Sequence, residues 1–303
     1  MSGGSKEARV SRGLAGAVCF IVNPAAGANR KRDLQGLIHG ALAGSTLRYE
    51  VRLTAAAGHA EQIAREAAGE GFRIVAAVGG DGTVNEVGRG LIGSSAALAI
   101  VPHGSGNGLA RHLEVSLDPI AATRKLLAPE FDRMDVGLIA GRPFFCTSGI
   151  GFDAHVARMF ALEERRGLGT YVRVALREYR SYRPTAVTVR MGKDEISTGC
   201  YVLAFANASQ YGNNAFIAPH ADLKDGLLDL CLIDRMPPLR AARIGYGLAL
   251  GDLPASSAAR YYTAAEALVE AQRPLGFHVD GEYAGEAASF TIALKPLALE
   301  IAT

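Results

Sequence analysis

Apolar positions in the first 130 residues fall into short unbroken runs, separated by stretches in which they recur every three or four residues. The runs at 18–22, 74–78 and 97–101 are too short for buried helices and contain β-branched residues, so they predict buried strands, and a further strand is expected at 48–53. The periodic stretches at 31–43, 58–70, 83–92 and 118–128 predict helices between them. Strict alternation of the two argues for a parallel sheet, which gathers its ligand at the carboxyl ends of the strands. After about Asp135 the pattern changes. Strands are expected at 143–148, 185–191, 200–206, 227–233, 276–280 and 289–294, with helical insertions at 153–163, 168–182 and 238–250. The expectation is an α/β nucleotide-binding domain over 1–136 and a β-rich domain over 137–303.

Two of the predicted strands empty into glycine turns. Ile74 to Val78 runs into Gly79-Gly80-Asp81-Gly82-Thr83-Val84-Asn85-Glu86, with a helix expected from Thr83. Glycines here can take positive φ and let backbone N–H groups approach an anion, and the helix N-terminus adds partial positive charge. Asp81 would repel bound phosphates unless a cation or a transferable proton lay between them, so the corner suggests Mg²⁺-nucleotide chemistry. The alternative is an ordinary surface turn. The second corner follows Ala97–Val101 and reads Pro102-His103-Gly104-Ser105-Gly106-Asn107-Gly108. Neither has the spacing of the Gly-Lys-Ser/Thr phosphate loop or of the dinucleotide fingerprint.

With Asn23-Pro24-Ala25-Ala26-Gly27 before them, these corners occur in the order and approximate spacing of the diacylglycerol kinase catalytic family, which the chain resembles. Ser148-Gly149-Ile150-Gly151-Phe152-Asp153, the segment from Ala221 to Asp229, and Asp280-Gly281-Glu282 extend the resemblance nearly to the last residue. It implies a Rossmann-like parallel-sheet domain followed by a β-sandwich-like domain, an active site in the interdomain cleft, and a last strand that returns to the first domain. It also implies ATP-dependent phosphorylation of a lipid hydroxyl, that of diacylglycerol or a related glycerolipid. Gly108 stands where many members carry Asp and Ser105 where Thr is common; in this the second corner looks more like the sphingosine and ceramide kinases, which keeps a sphingoid base open as substrate.

By the same resemblance, Gly79, Gly80, Asp81, Gly82, Thr83, Val84, Asn85, Gly104, Ser105, Gly106, Asn107 and Thr54 contact ATP, with Asn23 near the phosphates. Asp81 organises the catalytic Mg²⁺, and Glu282 accepts the proton of the acceptor hydroxyl. Asp280 and Glu282, one residue apart, can divide metal organisation and general-base work between them; read alone they make a hairpin turn. Asp222, Asp225 and the carbonyl of Leu227 are oxygen donors suited to Mg²⁺, which the resemblance implies is structural, and read alone Asp225-Gly226 is likewise a hairpin turn. Asp153 can meet a lipid headgroup or cap a helix, and Thr54 alone is a strand-end or cap residue.

Length and composition narrow the classes. The chain has 303 residues, 49% of them hydrophobic and 20% charged, with a net charge of +2, so it reads as globular and not as a nucleic-acid binder. Its apolar runs are too interrupted to span a bilayer, and residues 1–16 lack a signal-peptide pattern, so a cytoplasmic protein is expected, with contact to the inner face of the membrane. Cys19, Cys146, Cys200 and Cys231 have no metal spacing and are expected as buried free thiols. Arg166, Arg173, Arg177 and Arg180 fall at helical spacing among Val172, Leu176 and Tyr179, which fits either transient membrane contact or a solvated helix face. A homodimer is left open. NAD kinase and a catalytically silent nucleotide-binding regulator are the competing readings; the Asn-bearing second corner and Asp280-Gly281-Glu282 favour a lipid kinase over the first, and Asp81 together with Glu282 argues against the second.

Overall fold

Strands and helices alternate from Val18 onward in the computed structural model, which describes residues 16–27, 33–163, 167–234, 237 and 259–303. The helix expected at 238–250, the start of the one expected at 31–43, and Arg166 lie outside the described residues. Two units divide the chain: residues 1–134 with 297–303, and residues 135–296.

The first unit is built on strands β1 (Val18–Val22), β2 (Tyr49–Leu53), β3 (Ile74–Gly79) and β4 (Ala97–Pro102). They lie parallel in the order β2-β1-β3-β4, with Phe20 opposite Val51 and Ala76, and Ala76 opposite Ala99. Every residue of β1, β3 and β4 is buried, as strands covered on both faces must be. The helices are α1 (Leu34–Ala41), α2 (His59–Glu70), α3 (Asp81–Leu91), α4 (Gly108–His112) and α5 (Pro119–Lys125). Leu34, Ile38 and Leu42 pack with Val18, Phe20 and Val22 in one core cluster, and Leu126 joins it.

Strand β14 (Glu282–Ala302) brings its last residues to this sheet, where Ile301 and Ala302 pair in parallel with Leu98 and Ala99 of β4. Arg73 donates to Glu300 at 2.5 Å, and the backbones of Glu130 and Thr303 exchange hydrogen bonds at 2.8 and 3.0 Å.

The second unit is antiparallel. After β5 (Phe131–Ile139) come β6 (Arg142–Phe144), β7 (Thr147–Gly151), helices α6 (Phe152–Ala161) and α7 (Leu168–Glu178), then β8 (Thr185–Met191), β9 (Asp194–Cys200), β10 (Val202–Ala206), β11 (Leu228–Ile233), β12 (Ala259–Ala264) and β13 (Glu266–Val279). The strand order is β12-β11-β10-β7-β13-β14, with β8 and β9 joining along the first half of β13. Phe144, Ile150, Val189, Phe205, Val269, Phe277 and Phe290 lie in its core cluster. In β13 the register slips between Glu270 and Leu275, across Pro274, which has no N–H to give to a ladder. On one side of that slip β13 pairs with β8, on the other with β7.

Several sequence expectations need correction. The strand expected at 143–148 is two strands, β6 and β7. Those expected at 276–280 and 289–294 are parts of the long β13 and β14. Strands β5, β9 and β12 were not foreseen: charges at Asp132, Arg133 and Asp135 interrupt the first, and β9 is a mostly exposed polar strand paired, among the described residues, only to β8. No helix among the described residues is long and apolar enough to cross a bilayer.

Candidate active site

All the proposed nucleotide ligands of the first unit sit at the carboxyl edge of its parallel sheet. Asn23 follows β1, Thr54 follows β2, Gly79 and Gly80 end β3, and the second corner follows β4. Helix α3 starts at Asp81, two residues earlier than expected, because Gly80 serves as its N-cap in extended geometry (φ −97°, ψ −171°). Gly79 is a strand residue and Gly82 a helical one, so these glycines are not there for positive φ. Gly79, Gly80 and Gly104 are there for close approach. A Cβ on Gly104 would lie 2.5 Å from the Gly80 Cα, and one on Gly79 would lie 2.5 Å from Thr83 Oγ1. In the second corner the left-handed residue is Asn107 (φ 54°), whose side chain closes the loop onto Gly104 N at 3.0 Å and Gly104 O at 2.9 Å.

Asp81 joins the two corners. Its Oδ2 accepts the Asn107 N–H at 2.9 Å and its Oδ1 the Gly108 N–H at 2.7 Å. The sequence argument that this carboxylate is explained only by a cation is therefore incomplete, since backbone donors hold it in place. Asn23 Nδ2 donates to Thr83 Oγ1 at 3.1 Å, and its Oδ1 accepts from Ala25 N at 2.9 Å. Thr54 N donates to Val22 O at 2.9 Å; Ser105 is exposed. Glu86, the last residue of the first motif, has a role that went unread. It accepts from Gly58 N at 2.7 Å and Ala60 N at 3.1 Å, capping α2, whose own N-cap Gly58 offers no side chain.

In the second unit, Asp280 (φ 46°) and Gly281 (φ 82°) form a two-residue turn between paired Val279 and Glu282, with the positive φ at both positions that a type I′ hairpin demands. Asp280 also clamps the break between β6 and β7. Its carboxylate accepts from Phe145 N at 3.1 Å, Cys146 N at 2.8 Å and Thr147 N at 3.1 Å. Asp280→Ala leaves these donors without their acceptor and puts alanine in a left-handed conformation. A cost of about 3 kcal/mol or more is expected, since hydrogen bonds to charged groups contribute roughly 1.5–3 kcal/mol each. Chemical denaturation measures it; a midpoint equal to wild type would show that the clamp adds nothing. Glu282 is exposed on the next strand.

Asp153 is not a helix N-cap: that position is Gly151, and Asp153 lies buried in the first turn of α6. Its Oδ1 accepts from Ala154 N at 2.8 Å, and its Oδ2 meets His278 Nε2 at 3.1 Å and the Tyr211 hydroxyl at 3.4 Å. His278 Nδ1 accepts from Gly281 N at 3.3 Å, which leaves the proton of a neutral ring on Nε2, facing Asp153. Burial, with the Asp153 charge beside it, pushes the Tyr211 phenol well above its ordinary range and keeps it a donor. Nothing in the spacing of the seven histidines singled out His278.

The proposed metal loop is anchored from beneath. Asp135 Oδ2 accepts from Gly226 N at 2.9 Å, and Asn207 Nδ2 holds Asp135 O at 2.9 Å. Asp222 accepts from Lys224 N and Asp225 from Leu227 N, both at 2.9 Å, on an exposed turn. Burial and the charge of Asp225 raise the pKa of Asp229. Among the described residues no cluster of three or more His, Cys, Asp or Glu is arranged to hold a metal by itself. The four cysteines are free and buried, and burial pushes the thiols of Cys19 and Cys231 up to about 12, so they stay protonated and unreactive.

Comparison with known proteins gives this geometry a context. The diacylglycerol kinase catalytic domain matches residues 17–139, and the YegS C-terminal NAD kinase beta sandwich-like domain matches residues 147–303. A YegS-like protein of Chromohalobacter salexigens, named a probable lipid kinase, is 32% identical over 259 residues, 83% of each chain. The chain belongs to the diacylglycerol kinase catalytic family. Another relative, the diacylglycerol kinase of Bacillus subtilis, is 26% identical over 237 residues, 77% of this chain and 78% of that one. Two solved Bacillus anthracis structures, one described as a diacylglycerol kinase, share the fold with TM-scores of 0.77 and 0.72 at 21% and 19% identity, each over 94% of this chain and 96% of the other. The family is one of lipid kinases, with an α/β catalytic domain followed by a β-sandwich-like domain, as expected from the sequence.

Proposed function

We propose that this lipid kinase uses ATP and phosphorylates a hydroxyl of diacylglycerol or a related glycerolipid. The observation that carries the reading is the convergence of Asn23, Thr54, Gly79–Asn85 and Gly104–Asn107 on one edge of the parallel sheet, with Asp81 tying the two corners together. N–H groups in the first turn of α3 have no intrahelical acceptor and suit phosphate oxygens. Phosphoryl transfer then needs an aligned acceptor and charge neutralisation more than covalent help from the protein. Bound Mg²⁺ supplies that neutralisation. Asp81, oriented by Asn107 and Gly108, is the residue that would hold it, partly through water. Glu282 takes the proton from the lipid hydroxyl as its oxygen attacks the γ-phosphorus, and the bond to the bridging oxygen breaks to release ADP. The hard oxygens of Asp222, Asp225 and the Leu227 carbonyl fit a second, structural Mg²⁺, because an exposed turn leaves room for the waters this ion keeps.

Asp153 argues for a neutral acceptor. An ammonium headgroup seeking that carboxylate would have to displace His278 and Tyr211, both already donating to it. A glycerolipid hydroxyl asks for no such exchange, so the sphingoid base is the weaker reading.

The test is incubation of the purified protein with labelled ATP, Mg²⁺ and, separately, diacylglycerol, monoacylglycerol, sphingosine and NAD. Label is expected in diacylglycerol or a close glycerolipid and absent when Mg²⁺ is chelated. Label in NAD alone would overturn the lipid assignment, and no label anywhere would favour the silent regulator.

A further inference from the structure

We propose that His278 is a positioning residue for the reaction: its ring ties the backbone of the Asp280-Gly281 turn, and with it Glu282, to the buried carboxylate of Asp153. The part played by Glu282 rests on its assignment as the base. The turn has little sheet of its own to fix it. Below it Val279 pairs with Glu282 and His278 with Tyr283, and then the register slips, so that Phe277 stands opposite Gly285. Ala284 is the extra residue of this bulge, a device that re-aims neighbouring side chains and here interrupts the ladder two pairs below the tip. Side chains must therefore hold what the ladder does not. The Asp280 carboxylate secures the first turn residue to Phe145, Cys146 and Thr147 N. The second, Gly281, gives its N–H to His278 Nδ1 at 3.3 Å.

A histidine can do this in one tautomer only. A proton on Nδ1 would face the Gly281 N–H, donor against donor. The proton has to sit on Nε2, and Asp153 Oδ2, 3.1 Å away, is the acceptor that keeps it there. The pair is sealed from water, with His278 2% and Asp153 8% exposed, and Tyr211 and Ala154 N also donate to the carboxylate. Ser148 Oγ donates to His278 O at 2.6 Å, which fixes the backbone of the same residue. Gly149 makes the room: a Cβ there would collide with Asp153 Oδ2 and lie 2.9 Å from His278 Nε2. A core histidine kept for stability alone can offer either nitrogen to any partner, whereas this one has a carboxylate behind it that turns the Nδ1 lone pair toward the residue before Glu282.

His278→Asn and His278→Gln separate the two nitrogens. Asn Oδ1 hangs from the same carbon as Nδ1 and can accept from Gly281 N without needing a tautomer, but it stops short of Asp153. Gln carries its amide nitrogen toward the position of Nε2, where it can donate to Asp153, and leaves no acceptor for Gly281. With labelled ATP, Mg²⁺ and diacylglycerol, His278→Gln and His278→Ala should lose roughly tenfold to a hundredfold in kcat, the effect of displacing a reacting group by about 1 Å. KM for ATP should not change, and His278→Asn should keep most of kcat. Melting temperature should run the other way, Gln above Asn, because Gln keeps the buried link to Asp153. A role in stability alone cannot produce this crossed order. Turnover that follows melting temperature, or full kcat in His278→Ala, would overturn the proposal. Amide hydrogen exchange of Gly281, read by NMR, needs no activity: it should be slow in wild type and His278→Asn and faster in the other two, and equal exchange in all four would also overturn the proposal. If wild type transfers phosphate to no lipid, the kinase reading fails, and the exchange pattern still decides whether His278 holds the turn.

Discussion

Asp81→Ala is expected to lower turnover by roughly a thousandfold or more, the scale on which removal of one electrostatic element affects a charge-neutralising site. It should do so by two routes. The carboxylate that would hold Mg²⁺ is lost, and so are the acceptors for Asn107 N and Gly108 N, so the second corner loosens from the first. The variant should therefore also be less stable, by about 1.5–3 kcal/mol for each charged hydrogen bond lost. Asp81→Asn separates the routes. Its remaining oxygen can accept one N–H, so part of the stability returns, but without the charge turnover stays low. Single-turnover transfer from labelled ATP alongside chemical denaturation reads both. Near wild-type turnover of Asp81→Ala at saturating Mg²⁺ would remove Asp81 from the reaction.

Glu282→Gln should keep ATP affinity and lose roughly a hundredfold to ten-thousandfold in kcat, the usual contribution of a positioned base. Glutamine matches glutamate in size but cannot take up the hydroxyl proton. The position tolerates the change, being exposed next to a turn whose geometry is set by Asp280 and Gly281. Nucleotide binding by calorimetry, with kcat measured separately, distinguishes the outcomes. Retained kcat with weakened ATP binding would assign Glu282 to the nucleotide and leave the base elsewhere.

What was legible in the sequence was local. Strands β1, β3 and β4 are continuous apolar runs because both faces are covered, and that signal needs no partner to be read. The glycine corners were visible for the same reason. The contacts that make them a site were not. Asp81 is held by donors 26 and 27 residues away, and Glu86 caps a helix that starts 27 residues before it. Asp280 finds its three backbone donors 133 to 135 residues earlier in the chain, and His278 meets Asp153 across 125. Period and propensity carry no information about such pairs; only the folded chain brings them together. The glycines themselves were read for the wrong freedom: Gly80 and Gly104 matter because their backbones nearly touch, not because of their torsions.

The pairing of Ile301 and Ala302 with β4 gives the first unit a history in time as well as a shape. On a ribosome, β1 to β4 can assemble as soon as they emerge, yet the outer edge of β4 has to wait until all of residues 135–296 have been made. Throughout that interval an apolar parallel edge stands open, the kind of surface on which nascent chains aggregate. Efficient production of this enzyme therefore depends on how rapidly the second unit is synthesised and folded, and a fragment cut at residue 134 would carry that open edge permanently.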